Sequence, residues 1–238
     1  MHSQKYPRTY HFPFSPGTTS DDRIAKSYDG LLTGPMVITE KLDGENTCLN
    51  QYGVFARSHA APTRNPWASY LWDTWNTLHK QLGDLELFGE SLYAVHSIRY
   101  GRLESYYYLF AIREGDRWLA WDEVQFYAGV LGLPTVPVLY HGRAADLPGD
   151  ARVPDDEKVQ TFILNAVAQP SSLGDPAGET SPREGAVARL ARSFTTDEFA
   201  ACVFKWVRKG HVQTDQHWTR NWQRAKLYFE KPEAGSEE

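Results

Sequence analysis

The spacing of apolar and polar positions changes several times along the chain, and each change predicts an element. Met36-Val37-Ile38-Thr39 is a short β-type run that ends at Glu40-Lys41. Asp43-Gly44 is a turn signal. Thr47 to Arg57 alternates as strands do, with Gly53 at a turn, so the region reads as a hairpin with Lys41 at the end of its first strand. From Pro66 the period lengthens. Apolar groups at 67, 68, 71, 72, 75 and 78 predict a helix over 66–82, with Pro66 suited to its first turn. Leu85 to Glu90 and Tyr106 to Arg113 predict strands. Trp121 to Ala128 predicts a helix stopped near Gly132, and Pro134 to Leu139 a β-like run broken by prolines.

The second half is less regular. Residues 141–160 read mostly as loop, and Glu157 to Ala168 as a short helix. Residues 169–183 hold three Pro, two Gly and four Ser or Thr, a flexible surface loop. Glu184 to Leu190 and Ala201 to Val207 predict strands, and 217–229 a final helix. Residues 1–35 are an irregular lead-in rich in Pro, Gly, Ser and Thr, and 231–238 a polar, disordered tail. Without an internal repeat or a linker, the expectation is one domain over 1–238, of α+β class and mostly antiparallel.

Composition narrows the functional classes. With 238 residues, 25 Lys plus Arg and 30 Asp plus Glu, the net charge is −5. A globally basic nucleic-acid coat is excluded, so any nucleic-acid contact must come from a local basic patch. A hydrophobic share of 41% against 23% charged residues excludes wholesale disorder. Cys48 and Cys202 cannot build a disulfide framework or an all-cysteine zinc site. The N-terminus has no apolar signal-peptide core and no run is long enough to span a membrane. A reducing, cytoplasmic compartment is the expectation.

The chemistry concentrates at Glu40-Lys41-Leu42-Asp43-Gly44-Glu45-Asn46. A bare Lys-x-Asp-Gly is most often a solvated hairpin lysine. It acts as a nucleophile only where its amine can lose a proton, which burial, a neighbouring cation or a metal promotes. The order of the segments C-terminal to it changes the reading. Arg57-Ser58 closes the next strand. Phe88-Gly89-Glu90 ends another with a carboxylate beside glycine. Leu109-Phe110-Ala111-Ile112 sets an aromatic inside a β run, Glu184-Gly185-Ala186-Val187 opens a strand, and Phe204-Lys205-Trp206-Val207 places a lysine in the last one.

This ordered set resembles the motifs of the covalent nucleotidyltransferases, the ATP-dependent RNA and DNA ligases and RNA capping enzymes, over roughly residues 36–209. Asn46 after Lys-x-Asp-Gly-x makes it most similar to the RNA-ligase-2-like branch. The resemblance implies an ATP-grasp-like ligase adenylation fold, with mainly antiparallel sheets flanked by helices around an ATP cleft. It implies ATP-dependent RNA ligation: AMP transfer to Lys41, transfer to an RNA 5′-phosphate, and attack by a 3′-hydroxyl. Lys41 would be the nucleophile, Arg57 a phosphate ligand, and Glu90 a ribose or metal ligand. Phe110 would stack on adenine, Glu184 hold a metal, and Lys205 contact the α-phosphate. Asp43 would assist the metal or the leaving group, and Asn46 the sealing steps. The nucleotide site would thus comprise Glu40, Lys41, Leu42, Gly44, Asn46, Arg57, Glu90, Phe110, Glu184, Lys205 and Lys209. Mg²⁺ suits a triphosphate and the hard oxygens of Asp43, Glu90 and Glu184, with Mn²⁺ able to substitute.

The sequence departs from the pattern in one place. The last motif commonly has a second lysine two residues on, where this chain has Val207, leaving Arg208 or Lys209 as the candidate second cation. Only 33 residues come after Lys205, so neither an OB-fold nor a C-terminal helical domain is expected. Between 205 and 226, Lys205, Arg208, Lys209, Arg220, Arg224 and Lys226 face one acid, Asp215, with Trp206, Trp218 and Trp222 interleaved. This is either a solvated helix with a core stripe or a patch for the RNA backbone, with Asn46, Arg208, Lys209, Arg220 and Arg224 as RNA contacts. His211 and His217 match no zinc spacing. A monomer is expected, with an end-healing kinase or phosphatase as a candidate partner. The alternatives are a GTP-dependent or non-RNA nucleotidyltransferase, or an inactive RNA-binding module.

Overall fold

The computed structural model describes residues 4–174, 180–210 and 222–230. Two sheets carry the chain. The first is built from Tyr10–His11 (β1), Met36–Lys41 (β2), Val138–Gly142 (β8), Gly185–Leu190 (β9) and Val203–Val207 (β11), in the order β1–β11–β9–β2–β8. The second comprises Glu45–Asn50 (β3), Gly53–Ala56 (β4), Leu85–Ser91 (β5), Tyr107–Glu114 (β6), Arg117–Trp118 (β7) and Phe194–Thr195 (β10), in the order β10–β7–β6–β5–β3–β4. All strand pairs are antiparallel except β1 with β11. The architecture is the mixed α+β class expected from the sequence.

Alternation along the strands decides what each face does. In the first sheet Met36, Ile38, Ala186, Ala188, Phe204 and Trp206 turn into one apolar core. The intervening positions Thr39, Lys41, Val187, Arg189, Val203 and Lys205 are left to the other face. The second core lies under Ser69–Leu82 (α1) and Trp121–Leu131 (α2), around Leu49, Leu71, Leu87, Tyr107, Ile112 and Trp121. Asp155–Val167 (α3) covers the back of β9, and Phe199–Cys202 (α4) leads directly into β11. Glycine ends α2 as expected, with Gly132 in the left-handed region at φ 65°. Both cysteines are buried and free. No helix of the described residues is long and apolar enough to cross a membrane.

Several boundaries differ from the sequence reading, each for a local reason. The run from Pro134 becomes a strand only at Val138, because Pro134 and Pro137 have no N–H to give to a ladder. Their carbonyls instead accept from Leu109 of the second sheet (2.8 Å) and Glu40 of the first (2.8 Å), so this segment ties the sheets together. The region expected to be mostly loop, 141–160, already holds the start of α3 at Asp155. Residues 201–202 finish α4 before β11 begins. The final helix expected at 217–229 is absent from 222–230, where Arg224 and Leu227 bridge to Ala94 and Leu103. The rest of that helix, Trp218, Arg220, the His211–His217 stretch and the tail at 231–238 lie outside the described residues. The lead-in contributes β1 and a short 3₁₀ turn at Asp29–Thr33.

Gly185 is where two strands approach too closely for any side chain. A Cβ there would fall 1.9 Å from the carbonyl oxygen of Trp206. Gly185→Ala should therefore cost about 3 kcal/mol in a urea melt, as an overpacked position that only backbone movement relieves. Gly129, inside α2 with open space around it, is the control. Gly129→Ala should be neutral or stabilising by up to about 1 kcal/mol.

Candidate active site

β2 belongs to the first sheet and β3 to the second, and only Leu42, Asp43 and Gly44 lie between them. That crossing must be tight, and its side chains show how it is held. The Asp43 carboxylate accepts from the backbone amides of Ser97 and Ile98, both at 2.8 Å, and the Asp43 amide donates to the Tyr100 hydroxyl at 2.8 Å. Gly44 runs against the neighbouring strand end, where a Cβ would sit 2.3 Å from the Ser91 carbonyl oxygen. Its amide donates to Glu90 Oε1 at 3.1 Å. The crossing thus delivers Lys41 from one sheet beside Glu90 of the other.

Register brings the remaining groups. Lys41 pairs with Gly185 across β2 and β9, so Glu184, one residue earlier, sits at the same sheet edge. The Arg208 amide donates to the Glu184 carbonyl at 2.9 Å and fixes that edge. Thr39, Val187 and Lys205 form one row across β2, β9 and β11, and Val37, Arg189 and Val203 the next. In the second sheet Asn46 pairs with Glu90. A register shift between Phe88 and Gly89 re-aims the end of β5, as bulges do, and Gly89 leaves room for the Tyr107 ring.

Between the two sheets lies a cavity of about 500 Å³. Its lining includes the charged or polar Lys41, Glu90, Arg57, Asn46, Arg189 and Lys205 and the apolar Phe110, Val136, Val187 and Trp121. Tyr6 lines it too, its ring meeting Phe110 edge-on at 5.2 Å. The volume and the mixture of apolar and charged lining suit a nucleotide-sized ligand.

The electrostatics centre on Lys41. Its Nζ lies 2.6 Å from both carboxylate oxygens of Glu184. Burial works against the ammonium, but Glu184, Glu90 and Asp43 outweigh it and hold Lys41 above the usual lysine value. Glu90 is pushed up to about 8, chiefly by burial, with Lys41 lowering it and Glu184 and Asp43 raising it. Lys205 is drawn down by burial and by Lys41 and Arg57, while Asp22 opposes the fall.

The structure brings together most residues singled out in the sequence. Glu40, Lys41, Leu42, Gly44, Asn46, Arg57, Glu90, Phe110 and Lys205 all line the cavity, and Glu184 pairs with Lys41 at its edge. Asp43 does not line it, because its carboxylate holds the crossing. Among the described residues no three His, Cys, Asp or Glu side chains gather as a metal-binding group. Of the expected Asp43, Glu90 and Glu184 shell, Asp43 accepts from the Ser97 and Ile98 amides, Glu90 from the Gly44 amide and Glu184 from Lys41. Glu40 is fully buried, its carboxylate taken by Arg183 at 3.2 Å, Ser171 and the Ser172 amide. Neither Arg208 nor Lys209 lines the cavity as the second cation. Arg224, expected on RNA, is bound to Glu230 at 2.6 Å. Arg220 lies outside the described residues.

Sequence reasoning missed Thr39, Val187, Arg189 and Val203. Counting by twos from Lys41 and Lys205 finds Thr39 and Val203, whereas Val187 and Arg189 join them only through the register of β9 with β2 and β11. Tyr6 and Thr9 carry no such signal, since the irregular lead-in gives no period to count.

Comparison with known proteins points the same way. No curated protein sequence matches the chain. An archaeal ATP-dependent RNA ligase has a similar fold, with a TM-score of 0.52, 14% identity and coverage of 88% of this chain and 49% of that one. An apo variant of Naegleria gruberi RNA ligase gives a TM-score of 0.50, 16% identity and coverage of 88% and 63%. The chain therefore spans about half the archaeal protein and under two thirds of the Naegleria one. The family model described as RNA ligase matches residues 34–207, from just ahead of β2 to the end of β11, and the chain belongs to that RNA ligase family.

Proposed function

We propose that this chain is an ATP-dependent RNA ligase module that joins 5′-phosphate and 3′-hydroxyl RNA ends through an AMP carried on Lys41. The observation that carries the reading is the pairing of Lys41 Nζ with Glu184, under the charge of Glu90, at a nucleotide-sized cavity that Lys205 and Arg57 also line. Family membership supports it, as does a similar fold in a Naegleria gruberi RNA ligase variant with ATP and Mn.

The base would stack against Phe110, and the triphosphate would reach Lys205 and Arg57. Lys41 Nζ would attack the α-phosphorus, forming a phosphorus–nitrogen bond as pyrophosphate leaves. An RNA 5′-phosphate would then attack that phosphorus, breaking the phosphorus–nitrogen bond, freeing Lys41 and giving adenylylated RNA. A 3′-hydroxyl would attack the RNA phosphate, expelling AMP and closing the backbone. Splitting one condensation into three phosphoryl transfers is the advantage of the covalent route.

The pairing with Glu184 sets the first requirement. An ammonium held 2.6 Å from a carboxylate has no lone pair to give, so Glu184 must be drawn off and the proton lost before attack. The donor set fits a hard divalent cation. Glu184 and Glu90 are oxygen ligands, and Mg²⁺ takes few protein carboxylates while keeping waters and phosphate oxygens. When bound, such an ion would neutralise phosphate charge and lower the lysine's proton affinity. Lys205 would stabilise charge developing on the α-phosphate.

Covalent labelling tests the reading directly. Incubated with α-labelled ATP and Mg²⁺, then denatured, the wild-type chain should carry label and Lys41→Ala should carry none. Label from GTP alone would indicate a capping-like enzyme, and no label on folded, unadenylylated protein would contradict the reading. A second expectation concerns Glu90 without nucleotide. Its folded value of about 8 lies far above the free carboxylate near ~4.3, so the native state binds more protons between those limits. Stability from this group is complete at low pH and is lost as pH rises through that window. Glu90→Gln should therefore melt higher than wild type at pH 9, with the advantage shrinking towards pH 5, in thermal scans at constant ionic strength.

A further inference from the structure

We infer that Asp22, in the irregular segment ahead of β2, is the positioning residue that aims Lys205 into the cavity. The inference rests on the adenylyl-transfer reading, and it gives the lead-in a part in the chemistry.

Asp22 Oδ1 lies 3.2 Å from Lys205 Nζ and 3.2 Å from His11 Nε2. Its other oxygen accepts from both the backbone amide and the hydroxyl of Thr19, each at 3.0 Å. The carboxylate is thus fixed before it meets the lysine, unlike a surface ion pair that must order two free side chains. His11 is buried and is the cross-strand partner of Lys205 where β1 joins β11. Its Nδ1 lies 2.9 Å from the Ser15 hydroxyl, which accepts from the Val207 amide at 3.0 Å. The chain of contacts leaves β11 at Lys205 and returns to it at Val207.

That return occupies the place of the missing second lysine. Gly17 donates to the Val207 carbonyl at 2.9 Å, and a Cβ on Gly17 would strike that oxygen at 2.6 Å, so the lead-in lies directly over Val207. With no second cation at this position, a single lysine with four rotatable bonds must be held on target. Asp22 does that, and it also keeps Lys205 charged. The charged or titratable groups facing Lys205 are Asp22, His11, Lys41 and Arg57, and of these Asp22 favours the ammonium while Lys41 and Arg57, together with burial, oppose it. Removing its charge should therefore move Lys205 to a lower value.

The test measures the rate of Lys41 labelling by α-labelled ATP at saturating ATP and Mg²⁺ across pH, for wild type, Asp22→Asn, Asp22→Glu and Thr19→Val. The expected result is a rate about tenfold lower for Asp22→Asn, with the alkaline limb of its profile shifted to lower pH. Asp22→Glu should recover the limb, and Thr19→Val should slow labelling without moving it. If Asp22→Asn does not fold by circular dichroism, Thr19→Val and Asp22→Glu carry the test. A folded Asp22→Asn, or failing that Thr19→Val, that labels at the wild-type rate with the wild-type alkaline limb overturns the inference alone. A wild type that takes no label overturns the adenylyl-transfer reading as well.

Discussion

Everything at this site depends on three residues having to carry the chain from one sheet to another. Leu42, Asp43 and Gly44 leave no slack, so the end of β2 and the start of β3 are fixed against each other. Asp43 makes the turn rigid by accepting two amides from the segment after β5, and Gly44 makes it compact by lacking a side chain. The consequence is a lysine from one sheet facing a carboxylate from the other. The proline-bearing segment at 134–137 repeats the tie on the far side, bonding to Glu40 and Leu109.

Charge balance then decides what the cleft can do. Glu184 and Glu90 both act on Lys41, and the geometry favours the charged amine. Burial, with Glu184 and Asp43 adding to it, lifts Glu90 to about 8. On the proposed reading, the site without a cation holds Lys41 protonated, and a bound nucleotide with its divalent cation would supply the opposite condition by engaging the carboxylates. Lys205 and Arg57 also line the cavity, where on the proposed reading phosphate charge would lie.

Much of this was legible in the sequence where strand period and register determine the outcome. Lys41, Glu90, Glu184 and Lys205 could be placed because each stands at or within a strand whose alternation is clear. What holds the Asp43 carboxylate was not legible, because its neighbours in sequence say nothing about the amides of Ser97 and Ile98, which reach it from 54 and 55 residues away. Nor was the ion pair of Glu40 with Arg183, 143 residues on. The expected helix after residue 216 failed at 222–230 because bridges to Ala94 and Leu103 override local propensity there. The lead-in gave no period, so Tyr6 against Phe110 and Asp22 beside Lys205 were invisible until the fold placed them.

The claim that joins fold to function is that Lys41 must exchange Glu184 for the α-phosphate. A crystal structure with Mg²⁺ and an ATP analogue that cannot be cleaved between the α- and β-phosphates tests it directly. The account predicts adenine against Phe110 and Lys41 Nζ released from Glu184, within about 3–3.5 Å of the α-phosphorus and in line with the leaving oxygen. A nucleotide bound with Lys41 still 2.6 Å from Glu184, or bound outside this cavity, would contradict it.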